Sequence, residues 1–193
     1  MKTTTLRGTD LNVSRACLGT MTFGGQTDAT ESGHILDHAL EVGVNFVDTA
    51  NNYTDGNSEK ILGDLLRKDG RRDRVVLATK VFNHVKGDPP EDRGLGKANI
   101  VKSVEASLRR LQTDHIDLLY LHCPDRSVPI EETLEAVDAL VQAGKVRHLG
   151  MSNYASWQMA DAVHASSRLG LVRPAVTQIP YNIITRAVDE ECA

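Results

Sequence analysis

Three cysteines in 193 residues, an odd number without a C-x-x-C pair, are too few for a disulfide framework or a zinc site. Such usage of Cys17, Cys123 and Cys192 fits a reducing, cytoplasmic setting. Long apolar runs are missing as well. The opening Met-Lys-Thr-Thr-Thr-Leu-Arg-Gly is polar and basic, without the apolar core of a signal peptide, and no later stretch is long enough to span a membrane. There is no excess of positive charge: 22 Lys and Arg stand against 26 Asp and Glu, a net charge of −4, which points away from nucleic acid and acidic membranes as partners. Solenoid repeats and interdomain linkers are absent too, so residues 1–193 read as one domain. What is present is an ordinary globular composition, 40% hydrophobic and 25% charged, in a chain long enough for a sizeable core.

Short apolar runs alternate with helix-periodic segments. The runs are Arg15–Thr20, Val44–Thr49, Val75–Lys80, Ile116–His122, Val146–Ser152 and Ala175–Tyr181. Each is too short for a helix, largely apolar and bounded by glycine or charge, which predicts buried parallel strands. Between them, Thr30–Val42 carries Ile35, Leu36, Ala39 and Leu40 on one face and stops at Gly43. Ser58 is placed to cap a helix bearing Ile61, Leu62, Leu65 and Leu66 that stops at Gly70. Ile100, Val101, Val104, Leu108 and Leu111 form a third stripe. Pro129 opens a fourth helix with Glu131 and Glu132 at its positive end, and Gly144 closes it. Trp157, Ala160 and Val163 mark a fifth that ends at Gly170, and a sixth begins near Val188. Leu6 and Val13 flank the turn-like Arg7-Gly8-Thr9-Asp10, a small N-terminal hairpin. Strand–helix alternation implies right-handed crossovers and a parallel sheet, open or closed. The long loop Asn83–Lys97, with Pro89, Pro90 and three glycines, has a length that usually signals function.

Parallel α/β folds bind ligands at the carboxyl ends of their strands. Those ends offer Asp48, Lys80, His122, Ser152 with Asn153, and Gln178 with Tyr181; the second loop adds Tyr53. Each has a plain structural reading. Asp48 suits a turn, Lys80 can snorkel to water, His122 continues the period of Leu118 and Tyr120, and Ser152-Asn153 can cap a helix. Together they form a coherent acid–base set. A phenol has a pKa near 10, and a nearby lysine ammonium favours its phenolate. An aspartate would hold that lysine charged, and a neutral histidine would orient a carbonyl. Tyr53, Lys80, Asp48 and His122 could then protonate an alkoxide formed by hydride attack. No nucleophile elbow, H-E-x-x-H, Walker loop or paired metal ligands occur. Gly19-Thr-Met-Thr-Phe-Gly-Gly25 is glycine-rich but is not G-x-G-x-x-G.

Asp48-Thr-Ala-Asn-Asn-Tyr53 with Ser58-Glu-Lys-Ile-Leu-Gly63 resembles the signature of the aldo-keto reductase family. Ala78-Thr-Lys80, Asp117-Leu-Leu-Tyr-Leu-His122 and Gly144-Lys-Val-Arg-His-Leu-Gly-Met-Ser-Asn-Tyr154 resemble its lysine strand, its histidine strand and its G-K-x-R-x-x-G-x-S-N segment. Within the family, the segments His122–Leu134 and Tyr181–Arg186 look most like the aflatoxin-aldehyde reductase branch. The resemblance implies a (β/α)8 TIM barrel with a capping hairpin, NADPH as the usual cofactor, and aldehydes and ketones as substrates. It implies Tyr53 as general acid, Lys80 as its partner, Asp48 as counter-ion and His122 as carbonyl-orienting donor. By the same resemblance, Ser152, Asn153 and Gln178 would hold the nicotinamide carboxamide, Tyr181 would stack on its ring, and Thr20 and Met21 would touch the cofactor.

A whole barrel takes about 250 residues. The expectation is therefore an incomplete barrel of about six βα units, with strands seven and eight missing. The segments that grip the cofactor phosphates would be missing with them. Such a chain would be weakly active or inactive alone and prone to self-association through its open edges. The alternative is a catalytically silent redox-sensing or regulatory subunit, since some relatives in the family bind channels.

Overall fold

The computed structural model describes residues 1–89 and 91–191; Pro90 of the long loop, Cys192 and Ala193 lie outside the described residues. Thr3–Thr5 (β1) and Asn12–Ser14 (β2) pair antiparallel as the expected hairpin. Six further strands follow: Cys17–Gly19 (β3), Phe46–Asp48 (β4), Val76–Val81 (β5), Ile116–Leu121 (β6), Val146–Ser152 (β7) and Pro174–Gln178 (β8). They lie in sequential order, every neighbouring pair parallel. Order without reversal excludes a doubly wound sheet with a switch point. The sheet curls as part of a (β/α)8 barrel.

The helices Ala29–Glu41 (α1), Asn57–Leu66 (α2), Lys97–Leu111 (α3), Ile130–Gln142 (α4) and Ser156–Leu169 (α5) fill the crossovers, and Ala187–Glu191 (α6) follows β8. Alternation along each strand divides the core into layers. On the outer face, Leu119, Leu121 and Leu149 meet Ile100, Val104, Leu134, Val137 and Leu140 of the helices. A second cluster packs Leu36, Leu62 and Leu66 on Val47 and Leu77. On the inner face, Ala78, Leu118 and Tyr120 meet Leu11 and Val13 of the hairpin region, which thus plugs the amino-terminal end. Each fully buried leucine contributes roughly 1.5–3 kcal/mol. The packing leaves no room at two glycines: a Cβ on Gly150 would stand 2.6 Å from the Tyr120 ring, and one on Gly63 would stand 2.4 Å from the Arg110 carbonyl oxygen.

Beneath the barrel, buried Asp117 ties several segments together. It accepts from the Leu77 amide at 2.9 Å, from Arg72 at 2.9 Å and from Arg147 at 3.0 Å. Arg147 also reaches Asp10, which staples the hairpin to β7.

The structure differs from the sequence expectation at several points. β3 and β4 are three residues each, because the edge strand β3 has a single neighbour and the ladder between them is only three pairs long. Ser58 lies inside α2 instead of capping it; the helix begins at Asn57 and ends at Leu66, and Gly70 instead opens the short turn Arg71–Arg74. Val101 is exposed beside buried Ile100. Trp157 and Ala160 face outward, and α5 buries Ala162, Ala165 and Ser166, because the sheet comes close to small side chains there.

Candidate active site

Adjacent strands β4, β5 and β6 deliver Asp48, Lys80 and His122 to one end of the sheet, with Gly19 opposite Asp48 and Asp48 opposite Ala78 in register. Lys80 is only 1% exposed and Asp48 only 6%. The lysine alternates inward with Ala78, so its ammonium ends inside the barrel. It donates to Asp48 Oδ2 at 2.6 Å, to the Thr49 carbonyl at 2.8 Å and to the Tyr53 hydroxyl at 3.1 Å. The ammonium also lies 4.7 Å from the Tyr53 ring centroid. Tyr53 and His122 meet edge to face, ring centroids 5.9 Å apart. The four residues expected from sequence therefore converge.

Burial sets the electrostatics. It pushes the Asp48 carboxyl up, while the charge and hydrogen bond of Lys80 oppose that rise. Gln178 opposes it in the same sense, although Asp48 Oδ1 is left without a well-formed hydrogen bond. Burial, with the Lys80 charge adding to it, pushes His122 down to about 4, so the imidazole is neutral at pH 7. Its Nδ1 is buried without a partner.

Residues to which sequence reasoning gave another role, or none, hold this set in place. Ser58, which sequence suggested as a cap, is a buried hub. Its hydroxyl donates to the Thr20 carbonyl at 2.7 Å and contacts the hydroxyls of Thr20 and Thr49 at 2.9 Å each. Thr20 in turn donates to the Asp48 carbonyl at 3.0 Å. The ends of β3 and β4 are thereby fixed to α2. Glu59 is fully buried, accepting from Thr79 at 2.6 Å and Arg110 at 2.7 Å. After Tyr53 the backbone turns left-handed for three residues: Thr54 at φ 47°, Asp55 at φ 56° and Gly56 at φ 79°. Left-handed backbone costs a non-glycine residue about 1–2 kcal/mol, and for a β-branched residue it is an outlier.

The candidate cofactor residues fall into two groups. Ser152, Asn153 and Gln178 meet where β7 and β8 end. Asn153, left-handed at φ 61°, donates to the His122 carbonyl at 2.8 Å and to Ser152 Oγ at 3.1 Å, and its amide donates to the Gln178 carbonyl. Met21 and Tyr181 are exposed at 61% and 53%, and the Arg186 guanidinium covers the Tyr181 ring at 4.8 Å. Thr20 is fully buried with its hydroxyl committed to Asp48 and Ser58, so its side chain offers a ligand no surface. Cys123 is half-buried and packs on the outer core, and burial raises its thiol.

A hollow of about 620 Å³ lies elsewhere, between α2, α3 and the 83–97 loop. Several of its lining groups are already engaged: Lys102 with Asp92, Arg110 with buried Glu59, and Gln112 with Asp64. It is a polar surface cleft. The Asp48–Tyr53–Lys80–His122 cluster lies apart from it, inside the sheet.

An acid–base cluster inside the carboxyl end of a parallel (β/α) barrel defines the class of protein. The aldo/keto reductase family model matches residues 15–193, and the chain belongs to that family. It is 41% identical to an uncharacterised oxidoreductase of Bacillus subtilis, over 99% of this chain and 61% of that protein. It is 42% identical to aflatoxin B1 aldehyde reductase member 2 of Rattus norvegicus, over 90% of this chain and 46% of that protein. A probable voltage-gated potassium channel subunit beta of Arabidopsis thaliana is 41% identical, over 91% of this chain and 54% of that protein. The chain thus spans about half to three fifths of the length of these relatives.

Proposed function

We propose that this polypeptide carries the reacting half of an NADPH-dependent reductase that converts aldehydes and ketones to alcohols. The observation that carries the reading is the Lys80 ammonium, 1% exposed, held between Asp48 Oδ2 at 2.6 Å and the Tyr53 hydroxyl at 3.1 Å. NADPH, when bound, supplies the hydride that adds to the carbonyl carbon. Tyr53 gives its proton to the oxygen that becomes the alcohol, and the adjacent ammonium stabilises the charge then left on the phenol. Asp48 keeps the lysine charged and aimed. Neutral His122, depressed by burial, donates to the carbonyl oxygen and orients it.

The residues fit a nicotinamide. A carboxamide needs one acceptor and one donor, and the end of β7 and β8 offers the Ser152 hydroxyl, the Asn153 side-chain oxygen and the Gln178 amide together. Tyr181 supplies a ring face for stacking, and Met21 a flexible apolar contact from the first loop. The similarity to an aldehyde reductase supports a small carbonyl substrate. No helix among the described residues is long and apolar enough to cross a membrane; our reading of a cytoplasmic setting rests on the cysteine usage.

The test is Tyr53→Phe, in this chain and in a chimera completed with the carboxy-terminal part of the Bacillus relative. Aldehyde-dependent oxidation of NADPH falls by on the order of 10²–10⁴-fold, the usual worth of a positioned general acid, while NADPH affinity by fluorescence titration holds. Near-normal turnover in that variant refutes the assignment. A second reading, a silent regulatory subunit, draws on the similarity to a protein named as a potassium-channel subunit. It predicts NADPH binding by the chimera without turnover of any aldehyde.

A further inference from the structure

The glycine-rich segment Gly19–Gly25 matches no phosphate-binding pattern, and the structure gives it a different use. The loop is tied to itself, with the Gly25 amide on the Thr22 carbonyl and the Gly24 amide on that of Thr27. Gly25 lies against the left-handed turn that follows Tyr53, and Gly24 against the start of α2. A Cβ on Gly25 would stand 2.8 Å from Thr54 Cγ2, and one on Gly24 would stand 2.8 Å from Asn57 Cβ. Thr54 is the point of engagement. The single proton of its hydroxyl lies between the Phe23 carbonyl at 2.6 Å and the Tyr53 carbonyl at 2.8 Å, and the oxygen accepts from the Ser58 amide at 3.0 Å. Phe23 itself is 1% exposed, so this anchor is fixed in the core. Thr54 therefore joins three immobile things: the first loop, the start of α2 and the backbone of Tyr53.

A threonine at φ 47°, followed by an aspartate at φ 56°, is a backbone state that persists only when its surroundings over-determine it. Here the surroundings are Gly25 and the three hydroxyl contacts. We propose that Thr54 is the positioning residue for Tyr53, and that Gly25 is the side-chain-free surface against which it is held, with Gly24 giving the same loop its close approach to α2 at Asn57. This rests on the reading of Tyr53 as the proton donor. A phenol that must stay between Lys80 and His122 is poorly served by an ordinary flexible loop, and the locked turn removes that freedom.

The test uses the steric match between Gly25 and the Thr54 methyl. Gly25 has ordinary backbone geometry, so Gly25→Ala introduces only the clash with Thr54 Cγ2. Thr54→Ser keeps the hydroxyl and deletes that methyl; Thr54→Val keeps the shape and deletes the hydroxyl. The position of Tyr53 is read by its nitration rate with tetranitromethane, followed by mass spectrometry at each tyrosine of the 193-residue chain. Gly25→Ala and Thr54→Val raise the rate at Tyr53 severalfold. Buried Tyr120 and Tyr154 and exposed Tyr181 keep theirs, which separates displacement of one residue from general loosening. Gly25→Ala combined with Thr54→Ser returns Tyr53 to the parent rate. The proposal is overturned if Gly25→Ala leaves Tyr53 unchanged, if all tyrosines rise together, or if the double variant stays with the single one. In the completed chimera, kcat of Thr54→Val falls on the order of 10²-fold with KM held, as expected for about 1 Å of misplacement, and Thr54→Ser retains it. If the parent chimera reduces no carbonyl, the proposed function fails while the nitration pattern still decides the role of Thr54.

Discussion

Replacing Lys80 by methionine leaves the Asp48 carboxyl alone inside the barrel. The two charged atoms are 2.6 Å apart, with the side chains 1% and 9% exposed. At an effective dielectric constant of about 20, a pair at that separation attracts by ~6 kcal/mol. Removing one member of a buried pair costs about 3–5 kcal/mol net, because the other charge is left uncompensated. Burial already pushes Asp48 up, and loss of the lysine removes the main opposing influence. The folded Lys80→Met protein therefore holds a proton on Asp48 at pH values where the unfolded chain does not. Its stability falls as pH rises from the ordinary aspartate range through that raised value, so the deficit is smaller in an assay at about pH 5 than in one at about pH 8. Asp48→Asn in the same chain removes the stranded charge and recovers most of the loss. Urea unfolding followed by circular dichroism gives the three free energies at each of the two pH values, at one protein concentration because association shifts midpoints. A Lys80→Met protein within about 1 kcal/mol of the parent at both pH values, below the range for a broken buried pair, would refute the argument.

Gly63→Ala would gain about 1 kcal/mol in an ordinary helix. Here its Cβ meets the Arg110 carbonyl and the Leu111 backbone, which cannot rotate away, so the expected result is a loss of about 1–3 kcal/mol, and an unchanged or raised unfolding midpoint contradicts it. His122, followed by its ring proton in NMR, titrates near about 4. A folded value below the unfolded one means that its contribution to stability is complete above the ordinary histidine range and is lost as pH falls from about 6.5 toward the depressed value; a midpoint at or above the ordinary one refutes this. Strands β3 and β8 each have one neighbour, and Val176 and Ile179 at the β8 edge are only half-buried. Open edges of this kind recruit other strands, so the 193-residue chain elutes as an associated species in size-exclusion chromatography; a cooperative monomer at all accessible concentrations contradicts it.

The strands β5, β6 and β7 were legible to within a residue, because burial of nearly every position leaves a short, largely apolar run in the chain. The four polar groups of the candidate site were legible only as a set: each alone had an ordinary structural reading, and their coherence as an acid–base group at one end of the sheet singled them out. Exposure of Trp157 was not legible, since a large apolar residue at helical spacing looks like core whether or not a sheet lies beneath it. Ser58 looked like a cap because local sequence cannot reveal partners 38 residues away. The Glu59–Arg110 pair spans 51 residues and was hidden in the same way. Most opaque was the left-handed turn after Tyr53. Only Gly56 hints at it, and the reason for it lies in a loop some thirty residues earlier.

Among the described residues, the buried side-chain atoms without a hydrogen-bond partner are Asp48 Oδ1, Asn51 Oδ1, Asn52 Oδ1 and His122 Nδ1. All four belong to the carboxyl ends of β4 and β6 or to the loop beyond them, whereas Asp117 at the opposite end is saturated with donors. Unsatisfied buried groups cost stability, so the protein is poorest in self-satisfaction where it would meet its ligand. Selection for heat resistance alone would erode this end first, exchanging His122 or Asn52 for apolar residues of similar size. The tougher variants obtained that way would be the ones with the least left to react with.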